Sequence, residues 1–269
     1  MSTTTPKGVA LITGASTGIG AVYADRLAHR GHDLILVARD AQRMQALAER
    51  LHAQTGRHIE VLASDLTHPD DLAKVTARLE QDAAIRLLVN NAGMSLNGGL
   101  LDNGPAALQT LIALNITAPT LLASAAGKAF SARKAGGIIN IASVLALAPE
   151  LFDGVYSGSK AYILNLSLSL AAAVREAGVR VQAVLPGATR TEIWARSGKD
   201  VDSFPAEWVM EAGDLVDAAL VGFDLGETVT IPPLADEGLW TTYNAARLAM
   251  QSQLSRREVA ERYRTPVTA

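Results

Sequence analysis

The 269-residue chain contains no cysteine. That absence removes disulfides, thiol nucleophiles and thiolate metal sites together. Histidine is scarce. His29, His32, His52, His58 and His68 lie in polar stretches between apolar runs, and none falls in a His-Glu-x-x-His pattern. They read as surface residues, so no metal site is expected. Charge is sparse and nearly balanced, with 19% charged residues and a net −3, leaving no field to draw nucleic acid or an anionic membrane. Arginines at 255–264 alternate with glutamates and read as a solvated face. No basic segment leads into a long apolar stretch at the N-terminus, so no signal peptide is expected. Residues 103–127 carry no charge, but Gln109, Thr110, Asn115, Thr117, Pro119, Thr120 and Ser124 interrupt them. A membrane-spanning helix is more uniformly apolar. This helix is instead expected to be buried in protein around most of its circumference. A soluble, cytoplasmic protein follows, with neither membrane nor nucleic acid as a partner.

What the chain does have is rhythm. Short apolar runs at 8–13, 33–38, 58–63, 85–90, 137–141, 180–185 and 227–231 read as strands. They are continuous rather than alternating, as in parallel strands covered on both faces. Helical patterns fall between them, at about 18–31, 40–55, 69–82, 105–132, 157–177 and 213–222. This repetition implies right-handed βαβ crossovers and one doubly wound α/β sheet. No linker or repeat divides the chain, so a single domain over 1–269 is expected. Segment 188–212 breaks the rhythm with Trp194, Gly198, Phe204, Pro205 and Trp208, and reads as a lid over a substrate. Residues 232–269 read as a helical tail.

The first strand runs directly into Thr13-Gly14-Ala15-Ser16-Thr17-Gly18-Ile19-Gly20 and then a helix. Glycines let the backbone approach a pyrophosphate, and the helix N-terminus offers N–H groups and a positive dipole end. In this strand–turn–helix setting the pattern predicts a dinucleotide site. The second strand ends Val37-Ala38-Arg39-Asp40. An NAD site needs a carboxylate here for the ribose 2′-hydroxyl, which Ala38 cannot supply. Arg39 suits a 2′-phosphate, which favours NADPH; Asp40 keeps NADH open as the alternative.

Further on, Tyr156 and Lys160 stand four apart, on one helix face, with Ser143 upstream. An ammonium beside a phenol favours the phenolate and is expected to lower the tyrosine pKa toward neutrality. Such a hydroxyl can pass a proton to or from a substrate oxygen that Ser143 holds in place.

Taken together, these residues resemble the classical short-chain dehydrogenases/reductases over nearly the whole chain. The resemblance rests on residues 13–20, Asp65-Leu66, Asn90-Asn91-Ala92-Gly93, Asn115, Ser143, Tyr156, Lys160 and Pro186-Gly187 with Thr191. It implies a Rossmann fold of about seven parallel strands and a catalytic tetrad of Asn115, Ser143, Tyr156 and Lys160. It also implies that Asp65 and Leu66 contact adenine, and that Asn91, Ala92 and Gly93 run along the cofactor's ribose. Lys160 would bind the nicotinamide ribose, and Pro186, Gly187, Thr189 and Thr191 would border the carboxamide. Asn115 would help hold a water that relays protons; read alone, it is equally a helix-kink residue, with Pro119 four residues on.

Departures from the family pattern are local. Gly158 replaces the common alanine in the tyrosine motif, and Leu145 follows Ser143 where small residues are usual. The tail lacks the glycine-rich ending of ketoreductases that act on acyl carrier proteins. The expected reaction is hydride transfer between NADPH and a ketone, aldehyde or secondary alcohol. An NAD-dependent alcohol dehydrogenase and a dinucleotide sensor without turnover are the alternatives, although a sensor needs no tetrad. Leu145, Leu147, Glu150, Phe152, Trp194 and the vicinity of Phe204 and Trp208 are the pocket candidates. Most are apolar, which points to an apolar or aromatic carbonyl compound. Residues 161–174 and 105–127 are uncharged on every face, which predicts a helix-to-helix interface in a homodimer or homotetramer.

Overall fold

Seven parallel strands make the sheet. They are β1 (Val9–Thr13), β2 (Asp33–Ala38), β3 (Ile59–Ala63), β4 (Ile85–Asn90), β5 (Gly137–Ile141), β6 (Arg180–Val184) and, last in the chain, β9 (Val229–Thr230). Their order is β3-β2-β1-β4-β5-β6-β9. The computed structural model describes residues 7–152 and 154–264. Leu11 pairs with Ile35 on one side and Leu88 on the other, all three buried. Continuous apolar runs are required here because both faces are covered.

The covering helices form two layers. On one face, α1 (Gly18–His29), α2 (Ala41–Thr55) and α8 (Ala212–Leu225) pack on Ala10, Ile12, Leu34 and Leu36. On the other, α3 (Pro69–Gln81), α5 (Ala118–Arg133) and α6 (Gly154–Val174) contribute to the core around Leu11, Ile35, Val37 and Leu88. Alternate strand residues thus serve opposite cores, each large side chain contributing about 1.5–3 kcal/mol. Local chemistry sets the helix ends. Pro69 opens α3 with Asp70 and Asp71 in its first turn, and Asp40 caps α2 by accepting the Arg43 N–H at 3.0 Å.

The long helix expected at 105–132 is three pieces: α4 (Pro105–Ile112), a π-helical turn (Ala113–Thr117) and α5. Pro119 has no N–H to return to the Asn115 carbonyl, so the α-helical ladder cannot continue through this point. The stretch Pro105–Arg133 is long and apolar enough to cross a membrane by length and composition. In this fold Leu122, Ala126 and Phe130 anchor it in the core instead. The expectation that it is buried around most of its circumference is corrected: only 33% of its most apolar window is buried, and Ile112 and Leu121 are exposed. Helices α3 and α6 pack against it, while Ile112 and Leu121 remain exposed among the described residues.

Segment 188–212 has structure of its own. β7 (Thr189–Arg190) pairs in parallel with β8 (Met210–Glu211), and α7 (Ile193–Arg196) lies between them. The chain divides into two units, 1–233 and 234–269. The second carries α9 (Glu237–Ala249), capped by Asp236, with Trp240 stacked on Tyr243 at 5.6 Å. In the first unit the strand order reverses between β1 and β4, which opens a crevice at the strand C-termini.

Candidate active site

The crevice begins at the turn after β1. Gly14 has φ +65°, and a Cβ there would stand 2.8 Å from Asn91 Nδ2. A Cβ on Gly20 would run into the Gly14 carbonyl. Both positions therefore require glycine. The ends of β1 and β4 are laced together. Thr13 Oγ1 accepts the N–H groups of Asn91 and Ala92 at 3.0 Å, and Asn91 Nδ2 donates to the Thr13 carbonyl at 2.9 Å. No side chain caps the α1 N-terminus at Thr17, so its positive end faces a cavity of about 530 Å³. Gly14, Ser16, Thr17, Gly18 and Ile19 line this cavity, while Gly20 lies behind them in α1.

Arg39, Asp65 and Leu66 line one end of the cavity. Arg39 is exposed, its Nη1 3.8 Å from Asp65 Oδ2. Burial raises the Asp65 carboxyl, but hydrogen bonds from Thr67 and the nearby Arg39 outweigh it and hold the group below its ordinary pKa. Asp40 also lines the cavity; it caps α2 and lies 3.4 Å from Arg43 Nε. Sequence reasoning missed Glu192. It lines the cavity, accepts from Arg43 Nη1 at 2.8 and 2.9 Å and from Arg196 Nη2 at 2.8 Å, and these arginines hold its carboxyl below its ordinary pKa. Only the Glu192–Arg196 spacing, i to i+4, was visible in sequence; Arg43 is 149 residues away.

Asn91, Ala92, Gly93, Pro186, Gly187, Thr189 and Thr191 line the cavity, together with Ser143, Tyr156 and Lys160. Lys160 is buried, donates to the Ile141 carbonyl at 3.0 Å and sits 5.5 Å from the Tyr156 ring centre. Burial lowers its ammonium to a pKa of about 8. Tyr156 is half-buried, and its hydroxyl hydrogen-bonds Ser143. Its pKa departs from the expectation of a lowered phenol. Burial pushes it up to about 12, and the Ser143 hydrogen bond only partly opposes this. The sequence reading weighed the lysine's charge and left out desolvation.

Asn115 sits in the π turn, buried. Its amide donates to the Met94 carbonyl at 2.8 Å and Ser159 Oγ at 3.2 Å, and its Oδ1 accepts the Met94 N–H at 2.9 Å. It therefore braces the strand end behind the cavity wall. A Cβ on Gly93 would stand 3.5 Å from Asn115 Oδ1 and 3.6 Å from Lys160 Nζ, so these groups converge. The arrangement fits a dinucleotide: a close-approach cradle, a helix N-terminus, an arginine at one end and a hydroxyl pair at the other.

Past Tyr156, aromatic residues pack around Trp194, with Phe152 and Phe204 outside the cavity lining. Trp194 lines the cavity; Phe152 meets Tyr156 edge-on at 5.9 Å and Trp194 at 6.3 Å, and Phe204 lies 5.0 Å from Trp194. Leu145 is half-buried beside Ser143, outside the cavity lining. Trp208 is 65% exposed and belongs to the surface, as does Glu150.

Residues 8–202 match the family model for short chain dehydrogenases. The chain belongs to the short-chain dehydrogenase family. Its seven-stranded parallel sheet is the fold that the resemblance implied. This oxidoreductase is similar to a solved short-chain dehydrogenase from Sphingobium yanoikuyae in complex with NADPH: 50% identity, TM-score 0.92, covering 95% of this chain and 100% of that one. It is also similar to a bulky-bulky ketone specific alcohol dehydrogenase from Comamonas testosteroni, at 45% identity and TM-score 0.89, covering 96% and 99%. Human 17-beta-hydroxysteroid dehydrogenase type 3 is 34% identical over 68% of this chain. The match spans 59% of the human protein's length.

Proposed function

We propose that this short-chain dehydrogenase reduces a bulky, largely apolar ketone to a secondary alcohol with NADPH, and catalyses the reverse oxidation. The observation that carries the reading is Tyr156, hydrogen-bonded to Ser143 and backed by buried Lys160, on a cavity continuous with the glycine turn and Arg39. The NADPH-bound relative at 50% identity supports the cofactor, and the ketone-specific relative at 45% supports the substrate class.

Ser16, Thr17, Gly18 and Ile19 would hold the pyrophosphate, and Arg39 the 2′-phosphate. When bound, NADPH supplies the hydride that adds to the carbonyl carbon. Ser143 orients the substrate oxygen by hydrogen bonding. Tyr156 Oη donates its proton to that oxygen, so C=O becomes CH–OH and the phenol becomes phenolate. The raised tyrosine pKa keeps the acid form available at neutral pH. Lys160 then stabilises the phenolate until solvent returns a proton. Asn115 positions Met94 and Ser159 around this centre.

We further propose a homodimer or homotetramer built through the uncharged helix faces. Ile112 and Leu121 are exposed on one helical stretch, and Tyr162 on α6. NADPH oxidation monitored against a panel of ketones tests the catalytic reading. Bulky aryl ketones should be turned over with NADPH preferred to NADH. No oxidation with any ketone or aldehyde would overturn it.

A further inference from the structure

The aromatic wall beside Tyr156 is held by a group that the catalytic reading does not use. Helix α7 ends in a paired turn: the Lys199 N–H donates to the Trp194 carbonyl at 2.9 Å and the Gly198 N–H to the Ala195 carbonyl at 3.1 Å. Gly198 takes φ +67° and packs tightly on Asn97, a position that excludes a side chain. This turn brings residue 199 back beside residue 194. Both side chains then meet Phe152. Lys199 Nζ stands 3.5 Å from the centre of the Phe152 ring, while Trp194 meets the same ring at 89°. The same ammonium lies 3.4 Å from the Leu96 carbonyl. Three separate segments, around 96, 152 and 194–199, are thereby tied at one cation. Trp194 is fixed independently by its indole N–H to the Thr189 carbonyl at 2.8 Å.

We propose that Lys199 is a specificity-determining positioning residue, pinning Phe152 against Tyr156 and Trp194 so that ketones with an apolar or aromatic arm are selected. The physical basis is the attraction of an ammonium to a ring face, strengthened where water is excluded. Lys199 touches no reacting atom. Without it, Phe152 keeps only its edge contacts with Tyr156 and Trp194, and its position beside the proton donor is less firmly set. The inference rests on the ketone-reductase reading above and deepens it.

Lys199→Met keeps the apolar stem and removes the cation; Lys199→Arg restores a cation. The readout is the ratio of a bulky aryl ketone to a small methyl ketone. It is taken both from kcat/KM and from calorimetric Kd for the enzyme–NADP+ complex. Lys199→Met should lower this ratio about tenfold, with NADP+ affinity unchanged, and Lys199→Arg should recover most of it. Phe152→Leu should lower it similarly, and Lys199→Met should add little in that background. An unchanged ratio in Lys199→Met, or a full additional loss in the double variant, would overturn the inference. Wild-type protein that binds the bulky ketone without reducing it would overturn the reductase reading alone, because the Kd ratio still reads Lys199.

Discussion

Tyr156 and Lys160 titrate in opposite senses for the same reason. Both lose water on folding, which disfavours the charged form of each: the phenol rises to about 12 and the ammonium falls to about 8. The sequence spacing suggested charge attraction between the two, but what moves both groups is enclosure. The consequence for stability follows from linkage. In the unfolded chain Lys160 holds its proton to about 10.4, and in the folded chain only to about 8. Between these values the unfolded state binds more protons, so folding stability rises with pH. Urea unfolding of the cofactor-free protein should show Lys160 contributing about 1–2 kcal/mol of added stability from pH 8 to 9.5. Lys160→Met should lack that increment, and an equal rise in both proteins would contradict the assignment.

Among the elements, the start of α1 leaves no room for a side chain at Gly20. A methyl at position 20 meets the Gly14 carbonyl and Asn91 Nδ2, both held by the lacing of β1 to β4. Gly20→Ala should cost about 2 kcal/mol of stability and abolish detectable NADPH binding, measured by thermal unfolding and by nucleotide fluorescence. Wild-type affinity in that variant would exclude the cradle. The seven strands of the sheet were legible because parallel strands buried on both faces must be continuously apolar. β7 and β8 were not, since two residues give no period and the chain between them brings them together. Nor was the π turn. Pro119 announced a break, but the shift of Asn115 toward Met94 and Ser159 needs partners from elsewhere in the chain. Most motif residues that line the cavity were legible because they sit at strand ends or a helix start, whereas Asn115 lies in the π turn. The Glu192–Arg43 pair and the Lys199–Phe152 contact join distant segments and leave no local pattern.

For the whole molecule, the uncharged helices present apolar side chains on the monomer surface. Ile112, Leu121 and Tyr162 stand in water in the monomer, on stretches with no charge to solvate them. Sedimentation at micromolar concentration should give a dimer or tetramer, and Leu121→Arg should shift it toward monomer; a wild-type monomer would refute the interface. Central to the account is a proton carried by one phenol. The direct test is single-turnover oxidation of bound NADPH by a bulky aryl ketone, compared between wild type and Tyr156→Phe. The account predicts a loss of about 10²–10⁴-fold in rate with NADPH affinity nearly unchanged. A Tyr156→Phe protein that oxidised NADPH at the wild-type rate would contradict it.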